Sequence, residues 1–197
     1  MPTIVVPSDA TSVGPGFLFR FVIGTAVPTM TSTASKFSDA LTSAFVPVGV
    51  TRDGSTFSYE TTSEDIVVAE YLDPLDTIET GRNIGVAFDL AYITDKSYAM
   101  AFNGGVTTNV SGTAATAVSK FAPPSLGASV KTGLAWESQD GTQRAFFYEC
   151  LQSGNIQFSN SKAPNYQSLP LTFKVTQPDV GDPFNFFFAG QQRLKAA

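Results

Sequence analysis

The chain has 197 residues, a net charge of −5, one cysteine and no histidine. An intrachain disulfide and metal sites built on thiolate or imidazole are therefore excluded, and the sparse, scattered Lys and Arg argue against a surface that holds nucleic acid. Charged residues are only 15% of the chain against 43% apolar, which fits a globular domain whose surface tolerates close contact with other subunits.

Residues 1–15 hold Pro2, Pro7, Gly14 and Pro15 and read as an N-terminal arm that lies on another surface. Met1-Pro2-Thr3-Ile4 does not open a basic-then-apolar leader, so synthesis in the cytoplasm is expected. One β-domain is expected over 16–190, with excursions at 24–45 and 106–130, followed by a polar tail at 191–197. No apolar run reaches the ~18 residues of a membrane span.

Phe17, Phe19, Phe21 and Ile23 alternate with Leu18, Arg20 and Val22, which predicts a strand over 16–23. After a loop, Phe37, Leu41 and Phe45 recur every four residues, so 34–45 is expected to form a short amphipathic helix capped by Ser32 or Thr33. Val48 and Val50 lead into Arg52-Asp53-Gly54-Ser55 and on to Phe57 and Tyr59. Asp-Gly between β-prone runs predicts a tight hairpin turn. Strands are expected at 65–72 and 75–81, broken by Asp73-Pro74 because proline removes a ladder donor. The strand over 84–90 places Ile84, Val86, Phe88 and Leu90 on one face.

Residues 94–103 are the best helix, with Thr94 as N-cap, Asp95 at the positive end and Asn103-Gly104-Gly105 as a left-handed stop. Residues 106–130 are rich in small residues, contain Pro123-Pro124 and lack periodicity, so a long loop is expected. Strands follow at 132–138, 143–151, 154–159, 169–176 and 184–189, the first two joined by a turn at Asp140-Gly141. About ten strands and one helix make the chain mainly β: two packed β-sheets, sandwich- or barrel-like, with a flanking short helix and long loops.

The most informative stretch lies between Glu60 and Glu79. It holds seven carboxylates (Glu60, Glu64, Asp65, Glu70, Asp73, Asp76, Glu79) and no Lys or Arg, so it carries −7 while the rest of the chain sums to +2. Strand-like apolar residues are interleaved with these charges, which separates the stretch from an acidic disordered tail.

The order of these pieces resembles the major tail tube proteins of long, flexible-tailed bacteriophages. The matching features are the Ala-rich segment ending at Phe45, the Val-x-Val run into Asp53-Gly54, the acidic stretch ending near Leu72-Asp73-Pro74, Thr80-Gly81-Arg82 with the alternating strand 84–90, and the helix closed by Asn103-Gly104-Gly105. Glu149-Cys150-Leu151 and Leu169-Pro170-Leu171-Thr172-Phe173 are looser echoes. The resemblance covers 16–105 well and 143–176 loosely. It implies a tail tube fold, hexameric rings stacked into a hollow tube in the virion tail, and partners among tape measure and tail terminator proteins. Double-stranded DNA would pass through the tube without specific binding, and no enzyme activity or cofactor is implied.

On that reading Glu70, Asp76 and Glu79 are the candidates for an anionic lumen wall; the bland alternative is a solvated acidic hairpin. Candidates for subunit and ring contacts are Arg52, Asp53 and Gly54, Phe37 and Leu41, Pro123 and Pro124, and Phe187. Another virion β-sandwich (tail terminator, tail tip or decoration protein) or a glycan-binding adhesin would share much of this pattern. Copy number per particle separates the first of these and glycan binding by the isolated subunit the second. Catalytic readings find little footing. Ser nucleophiles have no His, paired carboxylates have only Trp136 as a sugar-stacking Trp, and no calcium-loop spacing occurs. Cys150 reads as a buried small hydrophobe.

Overall fold

The computed structural model describes residues 16–33, 36–113, 116–157 and 168–189. The expected arm at 1–15 and tail at 191–197 lie outside them. The elements in order are β1 (Gly16–Phe21), β2 (Ser32–Thr33), β3 (Lys36–Phe37), β4 (Val46–Pro47), β5 (Thr51–Ile66), β6 (Asp76–Leu90), α1 (Asp95–Ala101), β7 (Val106–Ser111), β8 (Val118–Ala122), β9 (Thr132–Ser138), β10 (Gln143–Gln152), β11 (Leu169–Val175) and β12 (Phe184–Phe188). The protein is mainly β and sandwich-like, with one short helix among the described residues, as the alternating patterns require.

Pairing runs β4-β1-β9-β10-β11-β6-β5, with β12 also on β10. Strand β10 joins the two layers. Its residues Gln143–Phe147 lie between β9 and β12, whereas Cys150–Gln152 pair with β11, and an irregularity between Phe147 and Cys150 separates the two halves. One layer is thus β4-β1-β9-β10-β12 and the other β11-β6-β5. Between them Leu18, Leu134, Phe147 and Cys150 meet Val86, Phe88, Leu171 and Phe173, with Met100 and Ala101 of α1 in the same cluster. Phe57 of β5 stacks on Phe147 and meets Phe184 and Phe186 of β12, so aromatic rings rather than hydrogen bonds close the side where β5 faces β12.

A second cluster (Phe21, Phe45, Ala135, Phe146) sits on the opposite face of the first layer, as the parity of Phe146 and Phe147 dictates. The 24–45 excursion covers it through Val27, Met30 and Leu41. No helix forms where one was expected over 34–45: Lys36–Phe37 pair with Ser32–Thr33, and the described remainder is irregular. The four-residue spacing of Phe37, Leu41 and Phe45 reflects separate anchor points. Backbone groups there bond outwards instead, with Phe37 N–H donating to Gly141 O at 2.9 Å and Ser38 N–H to Thr31 O at 3.1 Å. A helix of that length has little stability of its own against such partners.

Asp53-Gly54 is not a hairpin turn. Thr51 pairs with Leu90 and Ser55 with Phe88, so β5 bulges by two residues there, with Gly54 at φ 85°. The left-handed freedom of the pair serves a bulge rather than a reversal. The expected strand over 65–72 stops at Ile66, and the reversal occupies 67–75, closed by Leu75 N–H donating to Ile66 O at 2.8 Å. The expected strands 75–81 and 84–90 are one strand, β6. Within 106–130, β7 and β8 form a two-stranded ribbon rather than a plain loop. Phe121 of that ribbon stacks on Tyr98 of α1. The expected strand at 154–159 is absent over its described residues, Gly154–Gln157. Helix α1 forms as read, with a Thr94/Ser97 capping box and Asn103 at φ 54°.

Candidate assembly surface: a projecting acidic hairpin

Strands β5 and β6 pair far beyond the sandwich. Tyr59 opposite Ile84 is the last pair with a buried member; from there to Ile66 opposite Asp76 every residue of both strands is exposed. Seven further residues at ~3.4 Å each give an arm of about 24 Å. Its end carries apolar side chains in full contact with solvent, Leu72 at 104% relative exposure and Val67, Tyr71 and Leu75 all above 60%. The arm is continuous because the β-prone runs on both sides of 67–75 pair throughout. It leaves the body because Ile78 is the one apolar side chain of β6 before Ile84, too few for a buried face.

The register sorts the carboxylates. Cross-strand partners share a face, so Glu64 opposite Ile78 and Ile66 opposite Asp76 lie on one side, and Asp65 opposite Thr77 and Ser63 opposite Glu79 lie on the other. The second side continues the Phe57 and Tyr59 face, and Thr77 Oγ1 donates to Asp65 Oδ1 across it at 2.7 Å. Thr80 is the extra residue of a bulge between Glu79 and Gly81. Asp76 and Glu79 therefore point to opposite faces, while Glu70 sits in the terminal reversal. The three lumen candidates share one arm but not one side of it. No group of acidic residues converges on a cation site among the described residues.

The contact candidates are dispersed. Arg52 and Asp53 are exposed at the bulge 3.5 Å apart, and Arg52 also lies 3.9 Å from Asp89. Phe37 and Leu41 are packed within the subunit. Pro123 is exposed after β8, and Pro124 lies beside Gly104. Phe187 meets Phe146 edge-on at 5.7 Å, whereas its neighbour Phe188 faces solvent.

Arg144 is a functional side chain that no motif or periodicity singles out. Its side chain is 2% exposed and donates through Nε and Nη2 to Glu137 Oε1 at 2.9 and 2.7 Å. Nη2 also donates to Asp39 O, and the guanidinium lies over the Phe37 ring at 4.6 Å. Arg144 thereby fastens the excursion to the β9–β10 pair. A charge directly before Ala-Phe-Phe in a strand was the available signal. In the β9–β10 turn, burial works against the charge of Asp140, but hydrogen bonds from Ser138 and Thr142 outweigh it and hold the carboxyl below its ordinary value. Burial pushes the Cys150 thiol up to about 12, with Glu149 adding to the rise.

No protein-family model matches the chain, and no curated protein matches it significantly. No helix among the described residues is long and apolar enough to cross a membrane.

Proposed function

We propose that this chain is a structural, non-catalytic virion subunit that closes into hexameric rings and stacks into a tail tube, an anionic conduit for DNA. The observation that carries the reading is the arm formed by β5 and β6. A two-stranded ribbon with both faces in water is marginal by itself, and exposed Val67, Tyr71, Leu72 and Leu75 at its end gain nothing in a free monomer. Both features make sense on a surface completed by other subunits. The resemblance to tail tube proteins supplies the kind of assembly, and the sandwich-like fold agrees with it.

The charge fits a conduit. Duplex DNA carries about one negative charge per ~1.7 Å of axis, and a basic wall would bind it by releasing counterions. One face of the arm carries Glu60, Glu64 and Asp76 and no cation; the other carries Asp65 and Glu79, with Arg82 nearer the body, so the first face repels the polymer the more strongly over about one Debye length, ~8 Å at physiological salt. Tape measure and terminator proteins are the expected further partners.

Negative-stain microscopy of the concentrated pure protein tests the proposal. Rings or hollow rods are the expected result. Solitary particles at every concentration, together with absence of the chain from the tail of any virion, would overturn it.

A further inference from the structure

A cavity of about 190 Å³ opens beside α1, between the end of β1 and the chain entering β9. Arg20, Val22, Met100, Val130 and Lys131 are among its lining residues. Lys131 is engaged by Glu149 at 2.7 Å. Arg20 is half-buried as a residue, and its guanidinium has no acceptor among the described residues. Val22 and Val130 stand exposed at the cavity, at 76% and 64%. The site thus combines an apolar wall with a cation that no described residue compensates.

Its chemical complement is present elsewhere on the same chain. The reversal Glu70-Tyr71-Leu72-Asp73 offers a protruding apolar side chain flanked by carboxylates, with Leu72 fully in solvent. An apolar cavity of ~150 Å³ holds a benzene-sized group, so this one admits the Leu72 side chain and leaves a carboxylate to meet Arg20. Resting on the assembly reading above, we propose that the tip of the β5–β6 arm of one copy docks into the α1 cavity of a second copy, Leu72 entering between Val22 and Val130 and Glu70 or Asp73 pairing with Arg20.

Tip and cavity are different surfaces of the same copy, so the contact is heterologous and propagates head to tail, giving a ring or a filament according to the rotation between copies. The charge distribution points the same way. The stretch 60–79 carries −7 and the rest of the chain +2, so approach of the arm to another copy's body is favoured over approach to its arm.

The test is cross-linking between two single variants, Leu72→Cys and Val130→Cys. Both positions are exposed, so neither change disturbs the subunit, and the native Cys150 is buried, so the background is low. Under mild oxidation the mixture should give a disulfide-linked species of twice the subunit mass that neither variant alone gives. In parallel, Arg20→Glu should raise the concentration needed for assembly roughly tenfold or more, the loss of one charge-assisted contact. Mixing it with Asp73→Lys should restore assembly in part, with a thermal melt confirming that each variant is folded.

Three outcomes would overturn the docking. One is assembly of the wild type with no cross-link in the mixture. A second is a cross-link between two Leu72→Cys copies, which would mean tip-to-tip pairing. The third is an Arg20→Glu protein that assembles like wild type. All three leave the tube reading standing. A wild-type chain that stays monomeric throughout would remove both.

Discussion

Arg144→Ala tests how the 24–45 excursion is held. The substitution removes two charge-assisted bonds to Glu137 and one to Asp39 O, and it leaves a Glu137 carboxylate whose side chain is only 20% exposed without its partner. Removing one member of a buried pair costs about 3–5 kcal/mol. The residual water contact of Glu137 places the expected loss near the lower end, about 3 kcal/mol, or about 6–12 °C in Tm for a domain of this size. Replacing both members, Arg144→Met with Glu137→Leu, strands no charge. It gives up chiefly the bond to the Asp39 carbonyl, about 1 kcal/mol. Urea unfolding of the wild type, both singles and the double should therefore show a coupling of about 2 kcal/mol or more. Hydrogen exchange adds a local readout: Phe37 and Ser38 amides should lose protection in Arg144→Ala, while amides of β6 and β11 keep theirs. Additive single effects, or unchanged protection at Phe37, would refute the claim that this ion pair fastens the excursion.

Asp140 has a folded pKa below its ordinary value of 3.8, so its contribution is present above that value and lost as pH falls through the folded one. Asp140→Ala should therefore lower the urea midpoint at neutral pH, and the two proteins should converge in strong acid; a constant gap at all pH would contradict this. Phe57→Ala should cost about 2–3 kcal/mol, less than a fully buried Phe because the ring is 37% exposed. It should also reduce hydrogen-exchange protection in β12, since Phe57 closes the layers there; unaffected β12 amides would show that the rings do not bind the two edges. Cys150, with its thiol pushed up to about 12, should resist a thiol reagent at neutral pH in the folded protein and react fully in urea. Rapid labelling of the native chain would place that thiol outside the core.

What was legible followed from local chemistry that tertiary structure had no reason to override. The alternation Ile84, Val86, Phe88, Leu90 and its counterpart Leu169, Leu171, Phe173, Val175 became adjacent strands with every member buried. Thr94 as N-cap and Asn103 before two glycines bounded α1 as expected, and Ser97 completes a capping box with Thr94. The errors share another cause. Asp53-Gly54 permits left-handed backbone, but a bulge uses that freedom as readily as a turn does, and pairing with β6 decided between them. Phe37, Leu41 and Phe45 have helical spacing, yet Arg144, more than a hundred residues away in sequence, supplies the anchor that keeps the segment irregular. Neither a distant partner nor a strand register is written in a local pattern. The acidic stretch was visible as composition; that its carboxylates divide between two faces of a ribbon depends on the pairing of Ser63 with Glu79 and Ile66 with Asp76.

That division bears on how copies can associate. Along the arm, β5 is the terminal strand of the sheet order, and its outer edge has no strand partner among the described residues. Such an edge invites a second arm to add beside it. Antiparallel addition about an axis near Thr62 would set Glu60 of one copy within a strand spacing of Glu64 of the other. Two like charges ~4 Å apart repel by about 1 kcal/mol even in water, and by more where the strands exclude solvent. Carboxylates on both sides raise the cost of arm-to-arm addition on either face, whereas acid confined to one side would leave the other open to pairing. Association of the arm is directed instead toward a surface of opposite sign, and raising the salt concentration, which screens both effects, should narrow the gap between the two modes of contact.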